Sequence, residues 1–74
     1  GIQETKHMLD QLEAKYPDLM KEVLRHATVP RISEVLQRWL SERVSVRNMK
    51  LSMEALAWWA PREKDVIKRV GHIR

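Results

Sequence analysis

Residues 42–61 read ERVSVRNMKLSMEALAWWAP. On a helix at 100° per residue with Met49 at zero, Met53, Leu56 and Ala60 fall at about 40°, 340° and 20°, forming one apolar stripe. This periodicity predicts a helix from about Val46 to Ala60, with Ser45 as its N-cap and Pro61 as its stop. Trp58 and Leu51 break the pattern, at about 180° and 200°, on the side opposite the stripe. A large indole is costly to leave in water, so its position calls for something to touch.

Working outward, residues 30–43 carry the clearest helical pattern. Ile32, Val35, Leu36, Trp39 and Leu40 fill the i, i+3, i+4, i+7, i+8 template in full. Thr28-Val29-Pro30 precedes them and offers Thr28 as a cap, while Val44-Ser45-Val46 forms a short extended connector to the next helix. Upstream, one helix is expected from about Gln3 to Lys15, with Met8, Leu9, Leu12 and Tyr16 on a stripe. A second opens at Pro17, where a first helical position tolerates proline, and carries Leu19, Met20, Val23 and Leu24 to about Ala27. Beyond Pro61, a fifth helix from about Arg62 to Ile73 is expected to bury Val66, Val70 and Ile73, with Glu63 and Asp65 near its start. The sum is an all-α fold, a compact bundle of four to five short helices in a single domain over residues 1–74.

Size and composition bound the function. Seventy-four residues lie near the lower limit for a self-sufficient core, and without cysteine the stability must come from packing. No apolar run approaches the roughly 20 residues that cross a bilayer, and no signal-peptide pattern opens the chain, so a soluble piece without membrane contact of its own is expected. The net charge of +4 is uneven: residues 1–29 hold four Lys/Arg against five Asp/Glu, and residues 30–74 hold ten against five. A basic half is able to attract nucleic acid, anionic lipid or an acidic protein. The plainer reading is that opposite charges alternate on solvated helix faces.

Candidate chemistry is sparse. His7, His26 and His72 are too far apart in sequence to form a local ligand pair, and a zinc site would need them to converge in space with a fourth ligand. Glu13, Glu54 and Asp65 show no paired spacing that marks acid/base work. Gly1 and Gly71 are the only glycines, which leaves no phosphate-cradling loop. No catalytic residue, metal or cofactor is therefore assigned. Arg47 and Lys50, near the start of a helix that follows a short turn, loosely suggest a helix-turn-helix. Glu42 and Glu54 flank that surface and the helix ends in apolar tryptophans, which disfavours nucleic acid.

Several blocks occur together in order: Gln3-Glu4-Thr5-Lys6, Met8-Leu9-Asp10, Val29-Pro30, Val35-Leu36-Gln37-Arg38, Glu42 to Arg47, Glu54 to Ala57, Trp59-Ala60-Pro61 and Lys64-Asp65. With these the whole chain resembles the cytoplasmic region of the type III secretion export-gate family, which includes flagellar members. The resemblance implies an all-helical subdomain of a long inner-membrane protein. It also implies a cytoplasmic location, a homo-oligomeric (nonameric) ring, and docking of export chaperones with their cargo. Some positions depart from the family pattern, in which Trp39 is usually leucine, Ser52 isoleucine, and Trp58 small, acidic or aliphatic. Lys68-Arg69 and Gly71 stand where apolar residues and then glutamate are commoner, and Arg31 replaces an often apolar residue.

Added tryptophan and arginine are the types that anchor protein interfaces. The expectation is a non-catalytic protein-binding module for a partner of unstated identity, a secretion-gate subdomain used as a scaffold with a redesigned Trp/Arg-rich surface. The alternative is a native-like fragment serving ring assembly and cargo docking. The candidate protein-binding residues are Leu51, Ser52, Ala55, Trp58, Arg62, Lys68 and Arg69. Ser52 and Arg69 fall toward the core side of their helices, where burial without a partner costs about 1 kcal/mol or more. Trp58 has an alternative as a half-buried cover for a helix junction, and Trp39 and Trp59 are expected to pack in the core or at its boundary.

Overall fold

The structure, a computed structural model, describes residues 2–73, with the side chain of Ile73 outside the description. Four α-helices follow in order: α1 (Ile2–Lys15), α2 (Pro17–His26), α3 (Val29–Ser41) and α4 (Val46–Ile73). No strand occurs among the described residues, so the expected all-α class holds. In α1 the face bearing Thr5, Leu9 and Leu12 is buried. Tyr16 then turns the chain, and Pro17 opens α2 at a position whose N–H would have had no helical partner. Met20 and Val23 of α2, and Ile32 and Leu36 of α3, turn inward to join them.

The caps sit where the local chemistry places them. Thr28 is extended and its Oγ1 accepts from the Arg31 amide at 3.3 Å, while Ser45 Oγ accepts from the Asn48 amide at 3.1 Å. α3 stops at Ser41, two residues before the expected end, because Arg43 enters the left-handed region at φ 56°. The Val44 amide donates to the Trp39 carbonyl at 2.9 Å and the Arg43 amide to Leu40 at 3.1 Å. These are the two bonds of a Schellman motif, and Val44 and Trp39 both pack against the core beside it.

Helix α2 packs between α1 and α4, and α3 lies against α1. The core comprises Leu9, Leu12, Met20, Val23, Ile32, Leu36, Met49 and Met53, with Trp39, Leu40, Leu56 and Ala57 packed partly against it. Every fully buried side chain therefore lies before residue 54, and none from Glu54 to His72 is buried.

The principal correction concerns Pro61. The expected stop is absent, because α4 is one helix of 28 residues with Pro61 in its interior. Proline's fixed φ suits the helix, and its cost lies in the missing N–H and in crowding against the Ala57 carbonyl four residues back. Consequently there is no fifth helix among the described residues, and the last element is long rather than short. Val66 and Val70, expected in the core, are 55% and 48% exposed, and Arg69 is exposed as well. The second half of α4 runs past the bundle, which gives extents of 43 × 23 × 18 Å.

Candidate functional site

The outward side of α4 collects the large apolar residues that the bundle leaves uncovered. Trp58 is 53% exposed, as its helical phase predicts, and Leu51, Val66 and Val70 are exposed along the same helix. Trp59, expected to pack at the core boundary, is 59% exposed. The reason is geometric: at about 280° it lies on the flank of the core stripe, and no described residue of α4 after Met53 is fully buried. Trp39 is partly buried against the core, consistent with its place in the α3 stripe.

The two indoles form a defined unit. Their ring centroids lie 5.4 Å apart with planes at 85°, an edge-to-face pair. The Arg62 guanidinium carbon sits 3.8 Å from the centre of the Trp58 ring, and Arg62 Nη1 donates to the Trp58 carbonyl oxygen at 2.6 Å. One face of Trp58 is thus covered by a cation held from the next helical turn. That contact also occupies the carbonyl next to the one whose helical donor is missing at Pro61.

Of the seven candidate residues, Leu51, Ala55, Trp58, Arg62 and Arg69 share the outward side of α4 at about 180° to 240° and all are exposed. Ser52 is partly buried at the edge of the core, so its hydroxyl is not stranded among aliphatics. Lys68 is separated from the others. It lines a shallow groove with Arg25, His26, Pro61, Lys64, Asp65 and Ile67, on the α2 side of the helix. Trp59, Val66 and Val70 belong to the exposed face but were assigned to the core by periodicity alone.

The charge pattern follows the plainer expectation over much of the chain. Arg25, Arg31, Arg38 and Lys50 each pair with a carboxylate within one helical turn, Glu22, Glu34, Glu42 and Glu54 respectively, at 3.2 to 3.4 Å. These are exposed pairs worth a few tenths of a kcal/mol each. Of the two basic residues that suggested a helix-turn-helix, Lys50 is paired in this way with Glu54. Among the described residues no group of three His, Cys, Asp or Glu is placed to hold a metal ion, and no helix is long and apolar enough to cross a membrane.

The fold is all-helical and exposes a Trp-bearing face of α4. The chain belongs to the FHIPEP family, whose profile matches residues 1–74. It is 88% identical over all 74 residues to the invasion protein InvA of Salmonella typhimurium, and 72% identical to the protein MxiA of Shigella flexneri. The chain spans 11% of the length of each. Among solved structures, the C-terminal domain of InvA matches 99% of this chain at 88% identity with a TM-score of 0.64, and this chain covers 22% of it. The Shigella flexneri MxiA structure matches 99% at 71% identity with a TM-score of 0.65, and 24% of that chain is covered. The resemblance to type III secretion export-gate proteins is thereby established for the whole chain.

Proposed function

We propose that this chain is a non-catalytic protein-docking element of a type III secretion export gate, acting on the cytoplasmic side of the inner membrane. In that setting its outward α4 face contacts other proteins of the apparatus, namely neighbouring gate subunits in a homo-oligomeric ring and export chaperones carrying cargo. The observation that carries the reading is the pair of half-exposed indoles, Trp58 and Trp59, on one uncovered helix face. Monomeric domains rarely leave such groups in water, whereas interface centres are enriched in tryptophan and arginine. Leu51, Ala55, Arg62 and Arg69 complete the contact, with Ser52 at its inner margin.

Identity of 88% along the entire chain supports a native-like gate fragment over a scaffold with a rewritten surface.

Calorimetric titration with purified chaperone–cargo complexes of the relatives' secretion systems tests the reading. Binding that Trp58→Ala weakens at least tenfold, with the helical content unchanged, is the expected result. Binding indifferent to Trp58→Ala and to Leu51→Asp sinks the assignment of this face.

A further inference from the structure

Helix α4 has a second exposed side, turned away from Trp58. Lys64 and Lys68 lie on it at about 60° and 100°, against about 180° for Trp58. Both lysines are exposed, and they border a groove of ≈ 570 Å³ whose other wall is the last turn of α2, with Arg25 and His26. Pro61, Asp65 and Ile67 complete the lining. We propose that this groove docks an acidic segment of a protein partner, an extended stretch in which carboxylates at alternate positions flank an apolar side chain. The groove is a site separate from the outward face of α4, and its occupant is recognised by charge rather than by tryptophan.

Charge complementarity carries the choice. Arg25, Arg31, Arg38 and Lys50 each have a carboxylate partner, whereas Lys64 and Lys68 form no ion pair among the described residues. Two like charges one turn apart repel each other, so an arriving carboxylate relieves a repulsion as well as gaining an attraction. On the α2 wall a single carboxylate holds both basic side chains. Glu22 lies 3.4 Å from Arg25 Nη1 and 3.1 Å from His26 Nε2. These groups are thus placed before a partner arrives, which lowers the ordering cost of docking. Arg25 has five N–H donors, so its contact with Glu22 leaves others for an incoming carboxylate.

Spacing and the remaining residues favour a peptide over a phosphate group. Lys64 and Lys68 are about 6 Å apart along the helix axis. Alternate residues of an extended chain are about 6.6 Å apart, so carboxylates at i and i+2 meet the two lysines. The side chain between them points the other way, toward the bundle side of α4, where Ile67 lies at about 0° and is 63% exposed. A bare phosphate has no use for that apolar contact. Asp65 repels a phosphate chain, yet it accepts a hydrogen bond from a peptide N–H. Exposed ion pairs of this kind are individually weak and screened by salt, so the contact is a weak and salt-sensitive one.

Fluorescence polarisation tests it, with a short labelled peptide that alternates glutamate with leucine and serine, and the same peptide with glutamine in place of glutamate. The expected result is binding of the acidic peptide alone, with a dissociation constant below roughly 1 mM at low salt. Lys64→Glu combined with Lys68→Glu should weaken it at least tenfold, and Lys68→Gln about threefold, at unchanged helical content. Arg47→Glu, an equal charge reversal at an exposed position outside the groove, should leave it unchanged. No binding at low salt, equal binding of the glutamine peptide, or the same loss from Arg47→Glu as from the lysine pair overturns the proposal. Displacement of the peptide by inorganic phosphate, phosphatidylglycerol vesicles or duplex DNA at matched charge also overturns it, and makes the groove a general anion site.

Discussion

Arg62 and Trp58 are bound to each other twice, through a guanidinium 3.8 Å from the ring centre and a 2.6 Å hydrogen bond to the Trp58 carbonyl oxygen. An exposed cation–π contact contributes about 0.5–1 kcal/mol. Its larger consequence is order: the indole is held in one place before any partner arrives, which lowers the entropy lost on docking. The remaining ring area is free because no other helix passes over it.

Truncating Trp58 should therefore separate binding from folding. Trp58→Ala removes a half-exposed ring and adds a better helix former, so its effect on stability should stay below about 1.5 kcal/mol. Association through the face should fall at least tenfold. Urea denaturation followed by circular dichroism measures the first quantity, and calorimetry the second. A stability loss above about 3 kcal/mol would place the ring in the core and refute the surface assignment.

The core supplies the contrast. Met53 lies one helical turn and a half before Trp58, yet it is fully buried with Met49, Leu36 and Ile32. Met53→Ala should cost about 2–5 kcal/mol, as large-to-small core changes do. In so small a domain that is much of the total stability. A urea midpoint that barely moves would show that α4 is not anchored through this side chain.

How far the sequence disclosed this arrangement follows from what periodicity measures. The Ile32, Val35, Leu36, Trp39, Leu40 stripe and the caps at Thr28 and Ser45 are local properties, and each appears where the pattern put it. The outward phase of Trp58 was equally legible, because helical angle depends only on residue number. Trp59, Val66 and Val70 were not, since periodicity says which residues share a face but not whether another element covers it. Pro61 misled for a related reason. Proline marks a probable break, yet its cost is finite, and a helix continuing on both sides can absorb it.

Arg43 offers a gain rather than a loss. It holds φ 56° at the end of α3, a conformation that crowds a Cβ and that glycine adopts freely. The Schellman bonds from Val44 to Trp39 and from Arg43 to Leu40 require that conformation and use only backbone atoms. Arg43 is exposed and takes no part in the Arg31–Glu34 and Arg38–Glu42 ion pairs of α3, so Arg43→Gly should stabilise the fold by about 0.5–1 kcal/mol. Arg43→Val should destabilise it, because a β-branched side chain is the worst fit there. Thermal unfolding of the two variants, moving in opposite directions from the parent, checks both signs. Equal shifts would mean that the left-handed turn is not what ends α3.

Pro61 decides whether the outward face is continuous. An interior proline leaves the Ala57 carbonyl without its helical donor and costs a helix about 3 kcal/mol in an unsupported setting. Here the cost falls on a stretch with no buried residue after Met53, so nothing in the core compensates for it. Pro61→Ala restores the donor and should raise stability by about 1–3 kcal/mol, with more helical signal at 222 nm. If α4 is straight already, the face from Leu51 to Val70 keeps its alignment and association strengthens or holds. If the substitution instead lowers stability, the proline is favoured by a bend that the continuous helix lacks. The two halves of the face would then point in different directions, and Trp58 would act without Val66 and Val70. Comparing the melting temperature of Pro61→Ala, and its affinity for a protein bound at this face, with those of the parent separates these outcomes, because a straight helix raises the first without weakening the second.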